Sequence, residues 1–391
     1  MDGGPRRRAA DTLGCVGEPH EHEPGSRPRN EVWAGTMKGV HTENGVVLAH
    51  RDAPPPAVTG RLIDRRAREQ AEDAALASGA TRATGAGERA AEEEPDEFRT
   101  CFERDRDRIL HAAAFRRLAG KTQVFVFPAD HQRTRLTHAL EVAQVATAIA
   151  RAAGLNVTLT EAIALGHDCG HGPGGHASED AFDQYIDGGY NHAIWGADVV
   201  LTPLNLCVQT LDGIRHHSWS LPTPTTPEGA VVSWADRIAY SCHDLEDAVH
   251  AGIVSLDDLP HEVTEVLGST RASQLSRLIG AMVRCVAERG VVGMDPVHAG
   301  ALAALRRFNY ERIYMRPESL AQGEAVIKVL RALVEYYAGA PDALPAQARG
   351  DDPVRDAVTY VAGMTDRFAF ERATTLLAWP HDQLPKGIDR D

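Results

Sequence analysis

The chain has 391 residues, 43% of them hydrophobic and 25% charged, a typical globular composition with room for one large domain or two ordinary ones. No run of about 18 apolar residues occurs, and residues 1–8 lack the apolar part of a secretory signal, so we expect neither a membrane span nor export. The net charge of −14 disfavours a protein that coats DNA or RNA, and six cysteines without CxxC pairing favour a reducing, cytoplasmic location.

Residues 1–95 are predicted to form a poorly ordered N-terminal extension. The segment mixes Arg, Gly, Pro and Ala, and it contains a proline triplet at 54–56 and an acidic run near its end. Apolar residues recur at helical spacing only between Leu62 and Leu76, which predicts at most one short helix there. We therefore expect that a chain lacking residues 1–90 would keep nearly all of its activity.

Beyond this extension the pattern predicts an all-α protein, with a core over residues 96–260 and a C-terminal helical region over 261–391 packed on it. The apolar segment from Val124 to Phe127, which stops at a proline, predicts a strand or an extended loop. The expected helices cover Ile109–Leu118, Leu136–Ile149, Thr160–Leu165, Val231–Ala251, Thr264–Glu288, Pro296–Phe308, Pro317–Tyr337 and Pro353–Leu377.

Histidines and carboxylates form the pattern that points to chemistry. Asp168 and Asp236 lie in otherwise apolar helices, where a buried carboxylate is costly unless it is paired or bound to a metal. Together with His138 and His167 they form a mixed nitrogen and oxygen donor set, which suits Mn²⁺, Fe²⁺, Co²⁺, Ni²⁺ or Zn²⁺ and tolerates Mg²⁺. We therefore predict that these four residues hold a divalent cation, on which a bound water becomes acidic.

The same residues carry a family resemblance. The order His138, His167–Asp168, Asp236 resembles the H…HD…D signature of the HD phosphohydrolase superfamily, and the flanking motifs are similar to those of the bacterial deoxyguanosinetriphosphate triphosphohydrolase family. These motifs lie at Phe98–Arg108, Phe115–Phe125, Arg133–His138, Ala235–Tyr240 and His243–Asp247. The resemblance implies an HD-domain helical core, a homo-oligomer, and metal-dependent cleavage of a dGTP-like deoxynucleoside triphosphate to the deoxynucleoside and inorganic triphosphate.

Roles for further residues follow from this resemblance. His176 and Glu179 match a catalytic histidine oriented by a carboxylate, and His192 matches a second active-site histidine. Attack at the α-phosphorus also needs neutralisation of phosphate charge and a proton for the departing 5′-oxygen. The residues expected to bind the substrate are Arg117, Lys121, Gln123, Arg135, His171, Arg237, Tyr240 and Asp244.

Several alternatives stay open at this point. Cys169 and the Pro173–Gly175 segment depart from the family pattern around the substrate pocket, so the preferred base is not fixed. A chain with this signature is also compatible with an HD phosphatase acting on nucleoside monophosphates or a modified nucleotide, or with a nucleotide-binding regulator without turnover. His217 and its neighbour His216, like His243, are interpreted as structural. The glycines at 166–175 lack the order of a P-loop, so that motif is rejected.

Overall fold

The computed structural model describes residues 28–42, 45–50, 58–128 and 132–387, and the chain divides into two compact units, Met1–Leu62 and Ile63–Asp391. Within the described part of the first unit, helix α1 spans Arg29–Thr36, and two short antiparallel strands follow, β1 at Val40–His41 and β2 at Val47–Leu48. Residues 1–27 and the proline triplet of the predicted extension lie outside the described residues.

The second unit is helical, as predicted. Its first nine helices are α2 (Arg65–Ala75), α3 (Cys101–His111), α4 (Ala113–Arg117), α5 (Arg135–Ala153), α6 (Val157–Gly166), α7 (His176–Phe182), α8 (His192–Trp195), α9 (Val208–Arg215) and α10 (Pro227–His250). The C-terminal helices are α11 (His261–Val266), α12 (Arg271–Arg289), α13 (Pro296–Asn309), α14 (Pro317–Gly339), α15 (Pro353–Ala362) and α16 (Asp366–Leu377). None of the helices in the described residues combines the length and apolar composition needed to cross a membrane.

Two hydrophobic clusters hold this unit together. The larger one packs α5, α6 and α10 against each other through fully buried side chains such as Ile149, Leu159 and Val232. The second cluster joins α14, α15 and α16 to α7, with Leu330 and Phe370 among its buried residues. Burial of a large apolar side chain stabilises a fold by about 1.5–3 kcal/mol, so these clusters fix the helix ends that carry the polar site described below.

The structure divides several predicted helices, and the cause is local capping. The predicted helix over 264–288 is divided between α11, which ends at Val266, and α12. Gly268 between them has a left-handed φ of +82°, and Thr270 caps α12 by accepting a bond from the Ser273 N–H. Similarly, Thr365 caps α16 and separates it from α15. The segment 124–128 forms no strand, so the extended-loop alternative describes it.

The second compact unit begins at Ile63, so it includes residues 63–95 of the predicted N-terminal extension. Asp64 caps α2, and the segment that follows is tied to the core by polar contacts. Thr81 donates from its N–H and its hydroxyl to the Glu228 carboxylate at 3.1 and 2.6 Å. Arg89 donates to buried Asp105 at 2.6 Å. Anchoring through charged and small residues leaves no helical hydrophobic pattern, which is why the sequence suggested a loose extension.

Candidate metal centre and active site

Four side chains from three helices converge where α5, α6 and α10 meet. His138 lies in the first turn of α5, His167 and Asp168 follow the end of α6, and Asp236 lies in α10. His138 Nε2 is 3.1 Å from Asp236 Oδ1 and 3.9 Å from Asp168 Oδ2. His167 Nε2 is 3.4 Å from Asp168 Oδ1 and 3.9 Å from Asp236 Oδ1. The structure thus brings together all four predicted metal ligands.

The hydrogen bonds of His167 fix which of its nitrogens faces the cluster. Nδ1 lies 2.6 Å from the Ala164 carbonyl oxygen, which can only accept, so the hydrogen is assigned to Nδ1. Nε2 then carries a lone pair, and this buried atom has no hydrogen-bond partner. Burial lowers the pKa of His167, which favours the neutral imidazole. An unpartnered imidazole lone pair at the centre of the cluster is what a cation requires.

Both aspartates of the cluster are held in their ionised form. Burial opposes ionisation of Asp168, but its charged neighbours, Arg135 among them, outweigh it and hold its pKa well below the usual range. The pKa of Asp236 is lowered in the same way, against burial, by the hydrogen bond with His138 and the charge of Arg237. Two carboxylates and two imidazoles thus offer donors that fit a divalent transition metal, and the donor set does not identify which one.

The cluster forms part of the wall of a cavity of about 860 Å³. Arg135 donates from Nη1 to Asp168 Oδ2 at 2.6 Å, while its Nε and Nη2 are buried without a partner. Gln123 also lines the cavity and leaves its Oε1 without a partner. Six of the predicted substrate-binding residues reach this cavity, namely Gln123, Arg135, His171, Arg237, Tyr240 and Asp244.

The polar groups of Asp244 and Tyr240 are already engaged by neighbouring side chains. The Asp244 carboxylate accepts from Arg133 and from the Tyr314 hydroxyl, so both of its oxygens are engaged. The Tyr240 hydroxyl accepts from Arg306 Nε at 2.7 Å. A ligand hydroxyl that binds Asp244 must therefore share an oxygen with these donors or replace one of them.

Glu179 organises the predicted catalytic histidines on the other side of the cluster. Its Oε1 accepts from His176 Nδ1 at 2.8 Å and from His192 Nδ1 at 3.0 Å. Burial raises the pKa of Glu179, but these two hydrogen bonds outweigh it and hold the pKa well below the usual range. The His176 side chain is 76% exposed and lines the cavity, so its ring is accessible to a ligand.

Lys121 and Arg117, the other two residues predicted to bind the substrate, do not line this cavity. Lys121 is buried, and its ammonium donates to the carbonyl oxygens of His171 and Ala362. Burial lowers its pKa to about 7. Arg117 lies near Cys169, and burial also lowers its pKa. Backbone carbonyls occupy the Lys121 donors, so this residue supports the wall behind the site.

The sequence-based interpretation of His217 as structural missed its position in the site. His217 lines the cavity, and its Nε2 lies 3.1 Å from His192 Nε2. Its ring is also 5.0 Å, centroid to centroid, from that of His167. The close packing of α9 on α6 makes this possible, since a Cβ at Gly213 would lie 2.4 Å from the Ile163 Cδ1 atom. The excess of histidines, 18 in the chain, was the one sequence signal for it.

The C-terminal region supplies the rest of the cavity wall, which the sequence did not predict. Tyr314 precedes α14, and Arg316, Gln322 and Ile327 line the cavity from the segment that leads into that helix and from its first turns. Lys386, near the C-terminal end of the described residues, also lines the cavity. The cavity is therefore enclosed by both the core and the C-terminal helices.

Two family models match this chain, and one of them covers the cluster. The HD domain family matches residues 135–241, which contain all four predicted metal ligands, and the phosphohydrolase-associated domain family matches residues 292–375. A crystal structure of a hypothetical protein from Aquifex aeolicus is similar at a TM-score of 0.47 and 16% identity, covering 71% of this chain and 69% of that one.

Full-length relatives extend the match across most of the chain. A deoxyguanosinetriphosphate triphosphohydrolase-like protein of Caldanaerobacter subterraneus subsp. tengcongensis is 40% identical over 294 residues, covering 72% of this chain and 86% of that protein. A protein of the same description from Roseobacter denitrificans is 34% identical over 391 residues, covering 81% of this chain and 100% of the relative. With its HD domain and its buried His and Asp cluster, the chain belongs to the family of deoxyguanosinetriphosphate triphosphohydrolase-like proteins.

Proposed function

We propose that this HD-family hydrolase cleaves deoxynucleoside triphosphates, dGTP among them, to the deoxynucleoside and inorganic triphosphate. The observation that carries the proposal is the convergence of His138, His167, Asp168 and Asp236 at a cavity of about 860 Å³, whose wall includes three of them, His138, Asp168 and Asp236. Cavities of this size are typical of small-molecule sites. The names of the relatives support a nucleotide substrate.

The four ligand residues would hold one divalent cation at the reacting phosphate. Such a cation, when bound, supplies Lewis-acid neutralisation of phosphate charge and lowers the pKa of a bound water. His167 is oriented for this role by its bond to the Ala164 carbonyl. Asp168 is held in place by Arg135, which leaves its other oxygen, Oδ1, facing His167 and His171.

Arg135 is the residue best placed to bind a phosphate oxygen. One arm of its guanidinium is fixed on Asp168, and the remaining Nε and Nη2 donors are buried beside the cavity without partners. Unpaired buried donors cost free energy, so an anion that accepts from them is strongly favoured. The guanidinium is not covered by the neighbouring Gly175, which has a positive φ and no side chain. A Cβ at that position would lie 2.8 Å from Arg135 Nη2.

His176 is proposed to deliver the proton that the leaving group needs. In the balanced reaction a water oxygen bonds to the α-phosphorus, the bond from phosphorus to the 5′-oxygen breaks, and that oxygen takes up a proton. The Glu179 carboxylate accepts from His176 Nδ1, which leaves Nε2 as the atom that can carry the transferred proton. The exposure of His176 into the cavity is consistent with this role.

Product analysis tests the proposal directly. The full chain is stripped of metal with a chelator, reloaded with Mn²⁺, Co²⁺, Zn²⁺ or Mg²⁺, and incubated with each deoxynucleoside triphosphate in ¹⁸O-water. We expect deoxynucleoside and inorganic triphosphate in equal amounts, with the label in the triphosphate, as seen by mass spectrometry. His216→Ala is a matched control, because His216 pairs with Asp212 at 2.9 Å and does not line the cavity.

Two other outcomes would overturn the proposal. Release of orthophosphate from nucleoside monophosphates, with no triphosphate formed, would establish the phosphatase alternative. Binding of a nucleotide without turnover under any of the four cations would establish a regulator. The expected homo-oligomer and cytoplasmic location also stay proposals, to be tested by analytical ultracentrifugation and by cell fractionation.

A further inference from the structure

One carboxylate from the C-terminal helices holds two loops of the candidate site. Asp366, the first residue of α16, is 5% exposed. Its Oδ1 accepts from the Gly174 N–H at 2.9 Å, and its Oδ2 accepts from the Thr122 N–H at 2.9 Å and from the Thr122 hydroxyl at 2.5 Å. These donors lie 192 and 244 residues away along the chain, so folding alone brings the three segments together.

Each of the two loops leads directly into a residue of the candidate site. Gln123 follows Thr122 and lines the cavity, where its Oε1 has no hydrogen-bond partner. His176 lies two residues after Gly174, at the start of α7, and also lines the cavity. The relative position of the loops therefore decides whether both side chains can contact one nucleotide.

The loops are closely packed where the carboxylate joins them. A Cβ at Gly175 would lie 3.0 Å from the Thr122 carbonyl oxygen, and a Cβ at Gly174 would lie 2.4 Å from Val326 Cγ1 of α14. Buried backbone N–H groups need an acceptor. Since Asp366 is the acceptor for both loops, a shift of either one breaks a hydrogen bond to it.

The three hydrogen bonds of Asp366 all come from outside its own helix. A carboxylate in the first turn commonly accepts from the free N–H groups of its helix. Here Thr365 does this for α16 by accepting from the Phe368 N–H. The Asp366 carboxylate is thus directed at the loops before Gln123 and His176.

We propose that Asp366 is a positioning residue, which fixes Gln123 and His176 relative to each other for the reaction. Each oxygen of the rigid carboxylate holds one loop, so this single group sets the spacing of both. The inference rests on the proposed function, because the roles of Gln123 in substrate binding and of His176 in proton transfer belong to it. The competing explanation is a carboxylate that only satisfies buried N–H groups and stabilises the fold.

Double-mutant cycles in the full chain separate these explanations, because residues that act together do not have additive effects. Asp366→Ala should lower kcat and raise KM for dGTP, each by about tenfold, since a placement error of about 1 Å can cost about 10²-fold. In a His176→Ala background the further fall in kcat should be less than about threefold, while the rise in KM persists. In a Gln123→Ala background the rise in KM should shrink in the same way.

Asp356→Ala is the matched control. Asp356 lies in α15 of the same region, accepts from the Gly350 N–H at 2.5 Å and does not line the cavity. This variant should keep the kcat and KM of the wild type. Equal factors for Asp366→Ala in the wild-type, His176→Ala and Gln123→Ala proteins would overturn the positioning role, because a residue that only stabilises the fold weakens all three alike.

A second variant keeps the test available if the alanine variant does not fold. Asp366→Asn retains one acceptor oxygen and leaves the other loop without its acceptor, so the same cycles apply with smaller factors. The Mn²⁺ content of both variants, counted by mass spectrometry, should equal that of the wild type, since the Asp366 donors Thr122 and Gly174 are not predicted metal ligands. Loss of Mn²⁺ from folded Asp366→Asn would also overturn the role.

Product analysis distinguishes failure of this inference from failure of the proposed function. Coupling of Asp366 to His176 in the release of orthophosphate from dGMP, with no triphosphate from dGTP, would overturn the proposed function and leave the positioning role standing. For a chain without turnover, the cycle of Asp366→Ala with Gln123→Ala is measured on the Kd of dGTP by calorimetry. Additive effects on that Kd would overturn the positioning role as well.

Discussion

Asp105 and Asp168 are two buried aspartates of the same unit that differ in how many hydrogen bonds their carboxylates accept from the protein. Asp105 accepts from Arg89 at 2.6 Å, from the Cys207 N–H at 2.8 Å and from the Thr210 hydroxyl at 2.6 Å. Asp168 has one firm donor, Arg135 at 2.6 Å, and its Oδ1 lies 3.4 Å from Nε2 of both His167 and His171.

The difference separates a carboxylate that stabilises the fold from one prepared for a ligand. Both oxygens of Asp105 accept hydrogen bonds from donors within the protein, which is the usual way a buried carboxylate is tolerated. Around Asp168 the neighbouring His167 Nε2 and the Arg135 Nε and Nη2 atoms have no hydrogen-bond partner. Unsatisfied polar atoms that converge on one point therefore mark the functional site, and burial alone does not.

Replacement of Asp168 should give the largest loss of activity. Asp168→Asn removes a charged ligand but keeps a side chain that can pair with Arg135. We expect turnover of dGTP to fall by on the order of 10³-fold or more, since metal-assisted charge neutralisation contributes several kcal/mol to the transition state. Metal content, measured by mass spectrometry, should fall in parallel. An active variant with its full metal content would contradict the ligand role.

Removal of residues 1–90 should give the largest loss of stability. The deletion takes away Thr81 and Arg89, which leaves the Glu228 and Asp105 carboxylates buried without these donors. Loss of the Arg89 partner of buried Asp105 costs about 3–5 kcal/mol and loss of the Thr81 bonds to Glu228 about 1–3 kcal/mol, so we expect insoluble protein or a large drop in the urea midpoint. A chain lacking only residues 1–62 keeps these contacts and is the control. Equal stability of the two truncated chains would show that the 63–90 segment is dispensable, as the sequence suggested.

Asp105→Ala tests whether Asp105 stabilises the fold without taking part in metal binding. The substitution leaves Arg89, whose side chain is 4% exposed, without its carboxylate partner. We expect the free energy of unfolding to fall by about 3–5 kcal/mol in urea titrations. The metal content of the folded variant should equal that of the wild type. Loss of metal from a fully folded Asp105→Ala protein would mean that the two carboxylates do not have separate roles.

His176→Ala separates proton transfer from metal binding within the site. Because His176 touches Glu179 and is not among the proposed ligands, the variant should keep its metal. We expect kcat to fall by on the order of 10²-fold, the lower end of what a general acid contributes. The limb of the pH profile that reports the acid should disappear as well. Equal loss of metal and of rate would contradict this division of roles.

Lys121 is expected to make the stability of the fold depend on pH, without a direct effect on the reaction. Burial lowers its pKa from 10.5 to about 7, so between these values the unfolded chain binds more protons than the folded protein. The destabilisation is therefore full below pH 7 and decreases as the pH rises toward 10.5. The unfolding free energy of wild type minus that of Lys121→Met should rise by up to about 1.4 kcal/mol per pH unit. A flat difference from pH 7 to 10 in urea titrations would contradict the burial of this charge.

The sequence predicted that His138, His167, Asp168 and Asp236 lie together, and part of that signal is local. Asp168 and Asp236 stand in apolar helices, and this conflict between charge and surroundings is visible without a structure. The helices α5, α10 and α14 were predicted for the same reason, since each has a long apolar repeat.

The features that the sequence did not predict depend on contacts between distant segments. From the sequence, Lys121 was predicted to bind the substrate. In the structure its ammonium donates to the carbonyl oxygens of His171 and Ala362, which are distant in the chain. From the sequence, His217 was interpreted as structural. The packing of α9 on α6 brings its ring next to that of His192. The helix breaks at Gly268 and Thr365 depend on turn and cap geometry that periodicity does not report.

Anomalous diffraction at the Mn absorption edge, from crystals of the full chain grown with Mn²⁺, would locate the ion itself. We expect an anomalous peak about 2.0–2.3 Å from His138 Nε2, His167 Nε2 and one oxygen each of Asp168 and Asp236. A protein that binds Mn²⁺ only elsewhere, with Asp168 and Asp236 making no contact to the ion, would contradict it.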